Sequence, residues 1–251
     1  MAKSPPMVLA FAASDPTGGA GLQADLLTLA ARGCHPLSVV TALTVQDTSG
    51  VESLHAVEPS RVAEQARCLL ADLRVDAFKL GVLASAGNAA AIAQILAAHP
   101  RVPVVVDPVL ASGRGDALAT SGSIIAMQEK ILPLTTVATP NSLEAERLGG
   151  VDALLRRGCR YVLVTGTHDT SSEVINRLYD ANGLVREDSW PRLPGEYHGS
   201  GCTLAAALAA ALAKGLAMPD AVRDAQDYTW HALEAGFRPG AGQFIPQRFF
   251  K

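Results

Sequence analysis

Long hydrophobic runs, paired cysteines, aromatic residues and clustered positive charge are all scarce in this sequence, and each scarcity closes off a class of function. No apolar run reaches the roughly 18 residues that span a bilayer; the richest, Cys202 to Ala213, is stopped by Lys214 and Gly215. The N-terminal "MAKSPPMVLAFAASDP" loosely mimics a secretory leader. Its Pro5 and Pro6 precede too short an apolar core and Asp15-Pro16 follows at once, so it reads as a first β-strand. The four cysteines, Cys34, Cys68, Cys159 and Cys202, show neither a CxxC pair nor metal-ligand spacing. Scattered thiols without a framework point to a reducing, cytoplasmic setting. Aromatics are only 5% of the chain, and 21 Lys plus Arg against 24 Asp plus Glu leave a net charge of −3 with no basic run. That argues against a nucleic-acid surface. A P-loop is absent too, so any nucleotide must be held in another way.

What is present is apolar and regularly spaced. With 49% hydrophobic residues in 251, the chain can bury one large core, and a single domain over 1–251 is expected. Strand-like runs alternate with helix-like segments. "VLAFAAS" precedes "AGLQADLLTLAARG", which Gly33 can close, and "LSVVTALTV" is short and β-branched. "RVAEQARCLLADL" and "AGNAAAIAQILAAH" read as helices around the strand "AFKLGVL". "VPVVVDPV" and "YVLVTG" read as strands buried on both faces, and two helices close the chain. The alternation predicts an α/β fold with a mostly parallel sheet covered by helices on both sides, its ligands beyond the carboxyl ends of the strands.

Two glycine-rich stretches sit at such boundaries. "SDPTGGAGLQAD" follows a strand and opens a helix, and Gly19, Gly21 and Ala24 fit the loose GxGxxG/A pattern, with Asp47 near the next strand's end. This raises a dinucleotide-binding reading, against a plain helix start with close-packed glycines. In "HGSGCTLA" the amides of Gly199, Ser200, Gly201 and Cys202 can converge at a helix N-terminus as a main-chain anion hole. "VVVDPVL" puts Asp107 at the tip of a buried strand, and "TPNSLEAERL" puts Asn141 and Glu144 after a Thr-Pro turn. Asn141 and Glu144 also fit an ordinary helix cap, whereas paired carboxylates suit Mg²⁺ beside nucleotide phosphates. Thr165 and Gly166, in "VLVTGTH", offer hydroxyl and amide donors for phosphates.

Taken in order, "SDPTGGAGLQADL", "VTALTVQDTSGV", "FKLGVL", "VVVDPVL", "TPNSLEAERL" and "GSGCTLAAALAAAL" resemble the ribokinase-like superfamily, and within it the hydroxymethylpyrimidine/phosphomethylpyrimidine kinases of thiamine biosynthesis. The resemblance implies a three-layer α/β/α sandwich that phosphorylates an aminopyrimidine alcohol and then its monophosphate, with ATP as co-substrate and Mg²⁺ as cofactor. It places the anion hole at Gly199, Ser200, Gly201 and Cys202 and the metal at Asp107 and Glu144. The nucleotide falls to Asn141, Thr165 and Gly166, and the pyrimidine to Ala13, Asp25, Gln46, Val82 and Val109. It further implies a homodimer. Two departures stand out: Ala13 replaces a frequent glycine, and Thr165 replaces a frequent lysine, for which Arg114 is a candidate substitute.

Sugar kinases and many pyridoxal kinases of the superfamily place aspartate, as catalytic base, where Cys202 stands. A helix N-terminus lowers a thiol's pKa, so a Cys202 thiolate is expected to take the proton of the substrate alcohol. The monophosphate is already ionised, so the second transfer should need Cys202 much less. Gln46 and Asp25 are expected to read the aminopyrimidine edge. A pyridoxal kinase, a Rossmann-type oxidoreductase and a non-catalytic pyrimidine-binding protein are the competing readings.

Overall fold

The computed structural model describes residues 4–112, 115–167 and 171–250. Nine strands form one sheet: β1 (Met7–Ser14), β2 (His35–Gln46), β3 (Val51–Ala56), β4 (Ala77–Leu80), β5 (Val104–Val106), β6 (Val137–Ala138), β7 (Tyr161–Val164), β8 (Glu173–Asp180) and β9 (Gly183–Pro191). Their order is β3-β2-β1-β4-β5-β6-β7-β8-β9. The middle of the sheet, β2 to β7, is parallel, as the alternation of elements predicts. Both edges are antiparallel: β3 pairs back on β2, and β8 and β9 form a hairpin beside β7. These three strands mix charged and apolar residues and lie half in solvent. A search for unbroken apolar runs finds strands buried on both faces and passes over them.

Period-two alternation decides which side chain meets which layer. Leu9, Phe11, Phe78, Leu80, Val104 and Val106 point to one face and pack against α2 (Pro59–Asp72), α3 (Ala86–Ala97) and α4 (Ser121–Ala126). Val8, Ala77 and Val105 point to the other, against α1 (Gly21–Ala31), α7 (Ser200–Ala213) and α8 (Met218–Glu234). The result is a three-layer α/β/α sandwich. The stretch Thr203–Ala211 of α7 is buried throughout, and its alanines let this helix lie close over the sheet. Two short helices, α5 (Ser142–Arg147) and α6 (Val151–Arg156), connect β6 to β7. No helix of the described residues is long and apolar enough to cross a membrane.

Candidate active site

The carboxyl ends of β1, β4 and β5 lie beside the first turns of α1 and α7. Gly199 caps α7 in a left-handed conformation, φ +79°, and a Cβ there would collide with the Gly19 carbonyl. Gly21 (φ +56°) is pressed in the same way against the Ala13 carbonyl. The glycines of both stretches therefore let two loops touch backbone to backbone. That is the plain reading of Gly19 and Gly21, and Asp47 closes the β2–β3 turn on Ser49 and Gly50. At the head of α7 the amides of Ser200, Gly201 and Cys202 have no carbonyl one turn back and carry the positive end of a 14-residue helix.

Asp107 lies against this cluster: its carboxylate oxygens are 3.7 and 3.8 Å from where a Gly201 Cβ would stand. Beneath it is a residue that the sequence reading overlooked. Lys79 is wholly buried, and its Nζ lies 2.8 and 2.9 Å from the two Asp25 oxygens and 4.0 Å from Asp107 Oδ2. Sheet alternation turns Lys79 toward α1 and α7 rather than α2 and α3. Burial would strip the ammonium of its proton, but Asp25, then Cys202 and Asp107, outweigh this and hold it above its ordinary range. Burial pushes Asp25 up to about 6, with Lys79 opposing, so the pair is ionic at neutral pH. Asp25, expected at the pyrimidine edge, is instead fully buried beneath the site with Lys79 as its partner.

Cys202 also departs from expectation. Its thiol is pushed up to about 12, first by burial, with Asp107 and Asp25 adding to the rise and only Lys79 and the Gly21 amide resisting. The helix N-terminus is present, but burial, with the two carboxylates behind it, raises the thiol all the same. The thiol is neutral at physiological pH and lies beside Asp107, whose charge helps to raise it. A resting thiolate base is corrected to a neutral thiol.

Burial also raises Asp107, against Lys79 and Cys202. Glu144 is pushed up to about 7, by burial first and the Asp107 charge second. Its position joins both readings of the NxxE stretch. Asn141 and Glu144 form a reciprocal capping box on α5, and Glu144 Oε1 accepts from the Leu110 amide. A buried carboxylate raised by the Asp107 charge, with Asp107 Oδ2 buried and lacking a hydrogen-bond partner, suits a divalent cation. No cluster of three His, Cys, Asp or Glu exists among the described residues, so phosphate and water oxygens would complete such a site.

Of the residues expected around the pyrimidine, Ala13 and Val82 share a small apolar cluster with Ala42, Leu54 and Ala84. Val109 follows Asp107 and donates its amide to the Asp107 carbonyl at 2.8 Å. Gln46 ends β2, half-buried, on the rim of an open depression of about 540 Å³. Its amide nitrogen is 3.3 Å from His198 Nε2, which lies 2.8 Å from Asp15 Oδ2. Sequence reasoning missed His198, although it adjoins the Gly-Ser-Gly stretch. It also missed Arg248, a buried side chain that donates to the carbonyls of Gly18 and Gly19 and to Thr203 Oγ1. No spacing in the sequence signals that residue.

Of the residues expected at the nucleotide, Asn141 and Thr165 are joined by a parallel bridge. Gly166, expected to offer its amide to phosphate, donates it to Asn176 Oδ1 at 3.1 Å instead. Arg192 donates to the carbonyls of Gly166 and Thr167 at 3.3 and 2.9 Å, which brings a cation to the loop whose family lysine is missing. Arg114 lies outside the described residues.

The model of the family described as phosphomethylpyrimidine kinase matches residues 15–247. The hydroxymethylpyrimidine/phosphomethylpyrimidine kinase of Streptomyces coelicolor is 41% identical over 95% of this chain and 93% of its own length. Among solved structures, the Staphylococcus aureus pyridoxal kinase in complex with pyridoxal superposes with a TM-score of 0.88 at 25% identity, covering 98% of this chain and 94% of that one. The Clostridium difficile phosphomethylpyrimidine kinase gives a TM-score of 0.78 at 30% identity, covering 91% and 99%. The geometry of two helix N-termini over a carboxylate and a buried lysine is thus that of a phosphotransferase, and the chain belongs to the phosphomethylpyrimidine kinase family.

Proposed function

We propose that this chain transfers the terminal phosphoryl group of ATP to the hydroxymethyl oxygen of 4-amino-5-hydroxymethyl-2-methylpyrimidine, and then to the resulting monophosphate, giving the pyrophosphate used for thiamine. The observation that carries this reading is the approach of Asp107 to Gly201: a carboxylate at a strand end lies 3.7 and 3.8 Å from where a Gly201 Cβ would stand, in the first turn of α7. The amides of that turn stabilise charge on the transferring group, where positioning and electrostatics supply most of the catalysis. Asp107 and Glu144 would hold Mg²⁺, which when bound neutralises phosphate charge. Cys202 contributes its main-chain amide to the cluster, with its neutral thiol beside Asp107. Ala13, Val82 and Val109 would flank the ring, Gln46 would read its edge, and Asn141 and Thr165 would face the nucleotide.

The proposal includes one kinase domain over the whole chain, a cytoplasmic setting and a homodimer, which light scattering in solution tests. The second reading, a pyridoxal kinase, draws on the higher TM-score to the staphylococcal enzyme, which was solved with AMP-PCP and pyridoxal. One experiment separates the two: ADP release measured side by side with the pyrimidine alcohol, its monophosphate and pyridoxal. Turnover of both pyrimidines above pyridoxal is expected. Turnover of pyridoxal alone establishes the second reading, and ligand binding without ADP release establishes a silent pyrimidine-binding protein.

A further inference from the structure

The hairpin of β8 and β9 reaches the loop after β7 through buried polar side chains whose donors and acceptors can be assigned one by one. The Trp190 indole only donates, and its Nε1–H meets Gln226 at 3.0 Å, so the Gln226 atom there is the carbonyl Oε1. The other end of that carboxamide, Nε2, donates to Asp188 Oδ2 at 2.9 Å. Asp188 is an acceptor only: burial opposes its charge, but Arg186, Gln226 and Arg223 outweigh burial and hold it below the usual carboxylate range. With Gln226 Oε1 so fixed, the Asn176 atom 2.8 Å from it is Nδ2, and Asn176 Oδ1 faces the Gly166 amide at 3.1 Å. All four side-chain residues are less than a tenth exposed.

This relay ends on a single hydrogen. Gly166 is buried, and losing Asn176 would leave its N–H unpaired inside the protein. The same loop is held from its carbonyl side. Arg192, just after β9, donates to the carbonyls of Gly166, Thr167 and Ser171, and its own amide bonds to the Ser172 carbonyl. The hairpin thus grips both polar edges of the loop, and α8 grips the hairpin. Trp230 Nε1 donates to the Pro191 carbonyl at 2.9 Å, and the Arg223 guanidinium lies 4.4 Å from the centre of the Trp190 ring. Thr165 begins the loop, its amide on the Pro140 carbonyl and its carbonyl on the Ser142 amide.

We propose that Asn176 is a positioning residue for the nucleotide: it holds the loop after β7, and Thr165 with it, in the shape that meets ATP, and takes its own orientation from Asp188 and Trp190 through Gln226. This rests on the nucleotide reading above. It assigns the polar face of an edge hairpin to ATP affinity rather than to phosphoryl transfer itself. The effect is selective, because a loop that is in place in only about one molecule in ten weakens apparent ATP affinity about tenfold and leaves the pyrimidine side as it was.

The test measures KM and kcat with ATP varied and with the pyrimidine alcohol varied, alongside Tm. Asn176→Ala is expected to raise KM for ATP about tenfold, with kcat and the KM of the alcohol within about twofold of wild type. Gln226 bonds to the hairpin and not to the loop, yet Gln226→Glu sets a second carboxylate against Asp188 and should have the same effect. Adding Asp188→Asn returns an N–H to face that carboxylate and should bring KM for ATP back to within about threefold of wild type. Leu178→Ala empties part of the apolar layer beneath the same hairpin and should lower Tm without raising KM for ATP. Gln226→Glu that leaves KM for ATP unchanged overturns the proposal. So does Leu178→Ala that raises it as much as Asn176→Ala, since the hairpin would then be general support. Wild-type protein that releases no ADP with either pyrimidine overturns the kinase reading alone, because ATP affinity by titration calorimetry on the same variants still reads the relay. Wild-type protein that does not bind ATP overturns both.

Discussion

Cys202 shows how far a single residue can be read from its neighbours in sequence. The amides around it were legible, because Gly-Ser-Gly before an apolar run heads a helix in almost any fold. Its ionisation was not. The groups that set it, Lys79, Asp107 and Asp25, come from β4, the residue just after β5 and α1, and no local pattern joins them to residue 202. With the thiol pushed up to about 12, the uncharged form persists until well above neutral pH. Iodoacetamide at pH 8 should therefore modify exposed Cys68 and spare Cys202, as peptide mapping would show, with Cys202 reacting only as the pH climbs past 10. The kinetic counterpart is Cys202→Ser, which keeps a small hydrogen-bond donor beside Asp107. Both phosphoryl transfers should survive within about tenfold, whereas loss of a working thiolate base would cost the first transfer alone roughly a hundredfold or more. A selective collapse of the first step in this variant would reinstate the thiolate.

At the level of elements, runs of apolar residues disclosed the strands buried on both faces and the helices over them. The β8–β9 hairpin stayed hidden because its buried side is polar: Asn176, Asp188 and Trp190 converge on Gln226 of α8 through bonds of 2.8 to 3.0 Å. A search for apolar alternation does not register such a face. Strand β4 is the opposite case. Its sequence Ala-Phe-Lys-Leu is buried at all four positions, and the lysine inside it was the one available sign of an internal ion pair. The partner, on α1, could not be inferred from spacing. Removing one member of a buried pair leaves a bare charge, so Lys79→Met should destabilise the fold by about 3–5 kcal/mol. Lys79→Met/Asp25→Leu removes both charges and should recover most of that loss. Urea midpoints at constant slope measure the two variants, and a double variant no more stable than the single one contradicts the pairing.

Across the whole molecule, the site is closed by parts of the chain that are furthest apart in sequence. The segment after α8 runs back under the glycine loops: Phe244 exchanges main-chain hydrogen bonds with Glu196 and His198, and the Gln247 amide is held by the Ala232 carbonyl. Tyr228 fixes the Arg248 carbonyl at 2.8 Å, and the buried Arg248 guanidinium then ties the Gly18–Gly19 loop before α1 to Thr203 in the first turn of α7. This clasp sets the distance between the two helix N-termini, so it belongs to the geometry of the anion site although Arg248 hydrogen-bonds to the glycine loop and Thr203 rather than to Asp107 or Cys202. In Arg248→Ala three acceptors lose their donor. The expected cost is about 1–3 kcal/mol, or roughly 3–9 °C in Tm for a chain of this size. Because the clasp acts on the amide cluster common to both transfers, kcat should fall by a similar factor for the alcohol and for the monophosphate. Arg248→Lys reaches fewer acceptors from a single nitrogen and should recover stability only in part. Thermal melts and paired ADP-release rates on the two variants measure this, and an Arg248→Ala protein that keeps both its Tm and its two rates would show that the glycine loops hold their spacing without the C-terminal arginine.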